Sequence, residues 1–109
     1  MKKLLFTLTG IFFALNCYSQ ITVTYFNAEW NKANSVEWVG KLSECDVTKV
    51  DIGKNPKSAQ KHNVVVVPTI ILFQDGEEIK RYQADISFKM VATRKEVQED
   101  IDELIMSDF

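Results

Sequence analysis

Few side chains in this 109-residue chain have types and spacings that could do chemistry. The first is the turn Asn27-Ala28-Glu29-Trp30-Asn31-Lys32-Ala33-Asn34-Ser35, in which a tryptophan is followed by two carboxamides three residues apart. Carboxamides donate and accept hydrogen bonds but neither attack nor titrate. Such a turn is suited to capping and recognition, and Asn31 is expected to cap a helix by accepting the backbone N–H of Asn34. The second is Cys45, in Ser43-Glu44-Cys45-Asp46. Its flanking carboxylates raise a thiol pKa and so reduce the nucleophilic thiolate. Three fates are open to it: an inert buried thiol, a link between two copies, or a reactive thiol. His62, the only histidine, lies between Lys61 and Asn63 and is expected on the solvated surface. No ligands stand around it at metal spacing, so no metal and no cofactor are expected.

The elements that must position these groups follow from periodicity. Ile21–Phe26 is β-branched and aromatic throughout and reads as a strand. Ala33, Val36, Val39 and Leu42 recur on one face and predict a helix over about Lys32–Ser43, weakened by Gly40. Asp46–Ile52 is a second strand. A short helix follows, with Asn55 as N-cap, Pro56 at its first position and Asn63 near its C-terminal cap. Val64–Phe73 is apolar on both faces and predicts a central strand. Asp75-Gly76 turns tightly into Glu78–Gln83. Thr93-Arg94-Lys95-Glu96 is a capping box for a last helix with Val97, Ile101, Leu104 and Ile105 on one face. The acidic residues Glu96, Glu99, Asp100, Asp102 and Glu103 are expected on its solvated side. The order is βαβαββα. Two βα crossovers predict parallel pairing, the hairpin adds antiparallel strands, and helices cover both faces.

Residues 1–19 are expected to lie outside this domain. Met1-Lys2-Lys3 is basic, Leu4–Leu15 is apolar, and Cys17 and Ser19 place small residues before a cut ahead of Gln20. That is the pattern of a secretory signal peptide, with an apolar part too short to span a bilayer stably. The expected domains are therefore a signal peptide over 1–19 and one folded domain over 20–109, exported to the periplasm or secreted. Losing Lys2 and Lys3 from the 13 basic residues leaves 11 against 15 acidic ones, a net charge of −4. With no basic stripe, nucleic-acid binding is disfavoured.

Tyr25-Phe26-Asn27-Ala28-Glu29-Trp30, Lys49-Val50-Asp51-Ile52 with Asn55-Pro56, Val67-Pro68-Thr69 and Leu72-Phe73-Gln74-Asp75-Gly76-Glu77 together resemble a thioredoxin, in order and spacing, over roughly Ile21 to Ala84. The resemblance implies an α/β, thioredoxin-like βαβαββα three-layer sandwich with a central mixed sheet, without the leading strand and helix of full-length members. Residues 85–92 (DISFKMVA) are additional to it. The family's chemistry resides in a Trp-Cys-Gly-Pro-Cys turn, where a low-pKa thiolate attacks a disulfide and a second cysteine resolves it. Here the turn reads Trp30-Asn31-Lys32-Ala33-Asn34, so asparagines stand at both cysteine positions and no catalytic residue is expected. The family's buried carboxylate falls at Tyr25 and its groove-bordering glycine at Ala84. Lys49 is left without an acidic partner and reads as a strand residue.

The resemblance also implies a cis Val67–Pro68 bond, and a groove formed by Trp30, Asn31, Asn34, Val67, Pro68 and Ala84 that would hold an extended peptide by β-augmentation. The expected function is a non-catalytic binding or accessory module whose partner is another protein or an extended peptide. The alternatives are disulfide exchange through the single thiol Cys45 or a subunit role in a larger thioredoxin-fold assembly, and a Cys45-linked dimer is a further partner arrangement.

Overall fold

The computed structural model describes residues 20–107. The expected signal peptide, residues 1–19, lies outside them. Strands β1 (Ile21–Asn27), β2 (Asp46–Asp51), β3 (Thr69–Gln74) and β4 (Glu77–Gln83) form one sheet in the order β2-β1-β3-β4. The helices are α1 (Pro56–Lys61) and α2 (Arg94–Ser107). β1 and β2 run parallel, whereas β1–β3 and β3–β4 are antiparallel. Only the first crossover therefore gives a parallel pair. The second, through α1, skips past β1 and returns β3 in the opposite direction. The outcome is the expected mixed sheet, reached by one parallel connection instead of two.

Alternation along β1 divides the core between the two faces. Ile21, Val23 and Tyr25 join Ile70, Leu72, Tyr82, and Val97 and Ile101 of α2 on one face. Phe26 joins Ile71 and Phe73 on the other. Both faces of β3 are thus covered, which accounts for its unbroken apolar run. α1 starts as its sequence predicts, with Asn55 Oδ1 accepting the Ser58 N–H at 3.3 Å. α2 is capped by Thr93 Oγ1, which accepts the Glu96 N–H at 3.2 Å. The β3–β4 hairpin turns on Asp75 (φ 53°) and Gly76 (φ 83°). Positive φ at both positions is the backbone of a type I′ turn, which fits the strand twist.

Three expectations need correction. Lys32–Ser43 is not one α-helix but two 3₁₀ segments, η1 (Glu29–Asn34) and η2 (Glu37–Lys41), joined by extended residues. Ala33, Val36, Val39 and Leu42 recur every three residues, which is the 3₁₀ repeat and not the α repeat of 3.6. Val36, Val39 and Leu42 are buried as expected, while Ala33 is exposed. The break is fixed by hydrogen bonds: Ser35 Oγ donates to the Lys32 carbonyl at 2.7 Å, and Val36 N–H donates to the Tyr25 hydroxyl at 2.9 Å.

The central strand begins at Thr69, not Val64, because Pro68 offers no ladder N–H; the Val67–Pro68 bond is cis, as the resemblance implies. Val65, in the loop before it, is 86% exposed. Finally, His62 is not a free surface residue. Its ring sits between Phe26 and Phe73, with centroids at 5.8 and 5.3 Å, and its carbonyl accepts from Arg81.

Candidate functional site

The turn that begins after β1 is built on hydrogen bonds, and its asparagines point inward. Asn31 is only 4% exposed and lies inside η1 with φ −107°. It is not the N-cap: Ala28 holds that position, without a side-chain cap. Instead, Asn31 Nδ2 donates to Asn27 Oδ1 and to the Phe88 carbonyl, both at 3.1 Å, and approaches the Val67 carbonyl at 3.5 Å. Its Oδ1 accepts from Asn34 Nδ2 at 2.9 Å. Asn27 Nδ2 in turn donates to the Tyr25 hydroxyl at 3.1 Å. Tyr25, Asn27, Asn31 and Asn34 therefore form one connected polar network at the end of β1. No buried side-chain polar atom among the described residues lacks a partner. A fully satisfied network of this kind rigidifies its surroundings.

Trp30, by contrast, is 67% exposed. Val67 and Pro68 are buried, and the Pro68 carbonyl accepts the Ala84 N–H at 3.1 Å. Of the expected groove residues, contacts link Asn31 to Asn34 and to the Val67 carbonyl, and Ala84 to Pro68. Trp30 presents an exposed surface, Val67 and Pro68 are buried, and Asn31 spends its donors inside the protein.

Residues 85–89 lie against this turn through Phe88. Asp85 Oδ1 accepts from Ser87 N–H, Ser87 Oγ and Lys89 N–H at 2.8, 2.7 and 3.1 Å. Those bonds hold its carboxyl below the usual carboxylate range, the Ser87 hydroxyl contributing most. The Asp85 N–H donates to the Lys89 carbonyl at 2.9 Å, and Ala84 pairs with Met90. The knot so formed delivers Phe88, whose carbonyl meets Asn31 and whose ring stands edge-on to Trp30 at 5.1 Å and 87°. Sequence reasoning missed Asn27 and Phe88. The available sign was Asp85-Ile86-Ser87, an aspartate positioned to bond its own backbone two residues on.

Cys45 is elsewhere. It is half-buried against the core, one residue before β2. Since Thr22 pairs with Asp46 and Asn27 with Asp51, Cys45 and the Trp30 turn lie at opposite ends of the sheet. At about 3.3 Å per strand residue the separation is roughly 20 Å. Burial pushes its thiol pKa up, and the Asp46 and Glu44 charges add to that. No group of residues among those described could hold a metal ion. No described helix is long and apolar enough to cross a membrane. Lys49 lies in β2 and lines an open cleft of about 280 Å³ with Tyr25, Lys32 and Asp51.

Known proteins agree with this architecture. The family model described as thioredoxin matches residues 19–96. Among curated relatives, the thioredoxins of Mycobacterium tuberculosis and Chlamydia trachomatis are each 42% identical over 41 residues. That stretch is 38% of this chain and 35% and 40% of theirs, so the match spans well under half of the relatives' length. Among solved structures, thioredoxin-2 of a malaria parasite superposes with a TM-score of 0.62 at 26% identity, covering 81% of this chain and 86% of the other. Thioredoxin 1 of Thermosipho africanus gives 0.61 at 24% identity, over 81% and 99%, a likeness of fold.

Proposed function

We propose that this chain, which belongs to the thioredoxin family, is an exported module that binds an extended peptide or protein segment without thiol chemistry. On this reading Asn31 and Asn34 stand where the family's two cysteines would be, and the disulfide chemistry has been replaced by a structural amide network. The observation that carries it is the exposed Trp30, in a turn without a thiol, next to Asn31, whose amide reaches the buried Val67 carbonyl at 3.5 Å. An aromatic shelf next to backbone groups is a surface that an extended chain can join by main-chain hydrogen bonds. Asn31 and Asn34 serve the site by fixing the turn that carries Trp30.

Exchange through Cys45 is the rival, and its physical setting opposes it. The thiol is half-buried, its pKa is raised by burial and two carboxylates, and it is far from Trp30. The other member of a dithiol pair is not present among the described residues.

The test uses displayed random octapeptides selected on the purified protein and measured by calorimetry against the parent and Trp30→Ala. The reading expects at least a tenfold loss of affinity in Trp30→Ala, with an unchanged circular dichroism spectrum. Peptides that bind both forms equally would place recognition elsewhere and sink it.

A further inference from the structure

We infer that the Asp85–Lys89 knot is a built-in plug of the Trp30 groove, and that a peptide gains full access only when Phe88 swings away. This rests on the groove reading above and adds its regulation.

Three observations meet here. The first is occupancy. The Phe88 ring packs on Trp30 and its carbonyl takes a donor of Asn31, which stands next to Trp30 and within 3.5 Å of the Val67 carbonyl. The chain's own residue therefore sits where a ligand stacking on Trp30 would come.

The second is that the knot is self-contained. Asp85 Oδ1 holds it through three bonds, and two backbone bonds between Asp85 and Lys89 or Phe88 close it. Such a unit is bounded by the Ala84–Met90 bridge, with Met90 packed on the core, and on this inference it moves as a body about that fixed end. The third is that its attachment is slight and strained. Ile86 is 100% exposed and Phe88 42% exposed, so the knot buries little of its apolar surface. Phe88 also adopts φ 63°, a left-handed conformation unfavourable for a bulky side chain. Strain of this sort is kept where surrounding contacts hold it, and it is relieved when they release.

The closing contacts amount to one hydrogen bond and one edge-to-face aromatic pair. Each is worth about a factor of ten at most, less the strain, so removing them raises apparent affinity roughly tenfold. The ligand then competes with Phe88, and the competition tunes how tightly the groove binds.

The experiment compares octapeptides selected on the double variant Asp85→Ala/Phe88→Ala for binding to that variant, to the single variant Phe88→Ala, to the parent and to Trp30→Ala. Phe88 is partly exposed, so the single variant is expected to fold even if the double one does not. The inference expects peptides to bind the double variant about tenfold more tightly than the parent, with Phe88→Ala in between. It also expects a synthetic Ala84–Val91 peptide to bind the double variant and not the parent. Equal affinity for parent and variants, with binding still lost in Trp30→Ala, would overturn the plug and leave the groove standing. Binding that ignores Trp30 in every form would overturn both.

Discussion

Asn31→Asp tests whether the turn is held together as described. The substitution keeps shape and volume, so no cavity forms. It removes the two Nδ2 protons that reach Asn27 Oδ1 and the Phe88 carbonyl, both at 3.1 Å, in a site only 4% exposed. A carboxylate would then face two acceptors. Each acceptor left without its donor costs about 1–3 kcal/mol. Against this, the Asn34 bond to Oδ1 becomes charge-assisted and returns about 1 kcal/mol. The net is a destabilisation of about 1–5 kcal/mol at pH 7, centred near about 3, out of a total of about 5–13 kcal/mol for a domain of this size.

In a domain this small, each kcal/mol lowers Tm by about 4–8 °C, so the central value of about 3 kcal/mol corresponds to a fall of roughly 12–24 °C. The loss is also pH-dependent. The fold disfavours the charged form, so the new carboxyl has a raised folded pKa, and stability is regained as pH falls through it. The assay is urea denaturation of parent and variant at pH 7 and pH 4.5, followed by circular dichroism. An unchanged midpoint at pH 7, or a deficit that does not shrink at pH 4.5, would refute the inward-facing network.

Other expectations follow from particular contacts. Asp100 is pushed up by burial, yet the Tyr82 hydroxyl and Lys80 hold it below its ordinary value of 3.8. The stability it contributes is therefore present above about pH 4 and lost as pH falls through the lower folded value. Burial and Asp100 raise Tyr82 above its ordinary value of 10.0, so that stability is lost as pH rises beyond it. Tyr82→Phe should cost about 1–2 kcal/mol at pH 7 and flatten both limbs of a stability profile. Cys45 should react with iodoacetamide at pH 7 at least about fivefold more slowly than free cysteine and catch up only in alkali, since the thiolate is what reacts; a rate equal to free cysteine would contradict its raised pKa. Gly76→Ala should lower stability by about 1 kcal/mol in thermal melts although nothing lies within 4 Å of the new methyl, because φ is +83°. No change there would argue against a left-handed turn.

Most of the architecture was legible because local chemistry and global fold agree in it. Asn55-Pro56, Asp75-Gly76 and Thr93 each act where their types require, and the family pattern over Ile21–Ala84 supplied the layers. What was hidden depended on contacts distant in sequence. The spacing of three through Ala33, Val36, Val39 and Leu42 fits either kind of helix loosely, and Tyr25 decides it by accepting the Val36 N–H. Asn31 reads as a cap because asparagine usually caps. Its inward rotamer needs Asn27, four residues back, and Phe88, 57 residues on. His62 looks solvated among polar neighbours, yet Phe26 and Phe73 reach it from two strands. The plug was the least legible, since Asp85–Lys89 reads as a polar connection until its knot is closed and Phe88 is placed on Trp30.

The central claim is that this domain binds without thiol chemistry, and disulfide-reductase activity tests it most directly. Insulin reduction with dithiothreitol as reductant would be followed for the purified parent and for Cys45→Ser, with iodoacetamide trapping of mixed disulfides. No turnover above the reductant alone and no trapped adduct are expected in either form. Turnover in the parent that disappears in Cys45→Ser would make that thiol the working group and overturn the non-thiol reading.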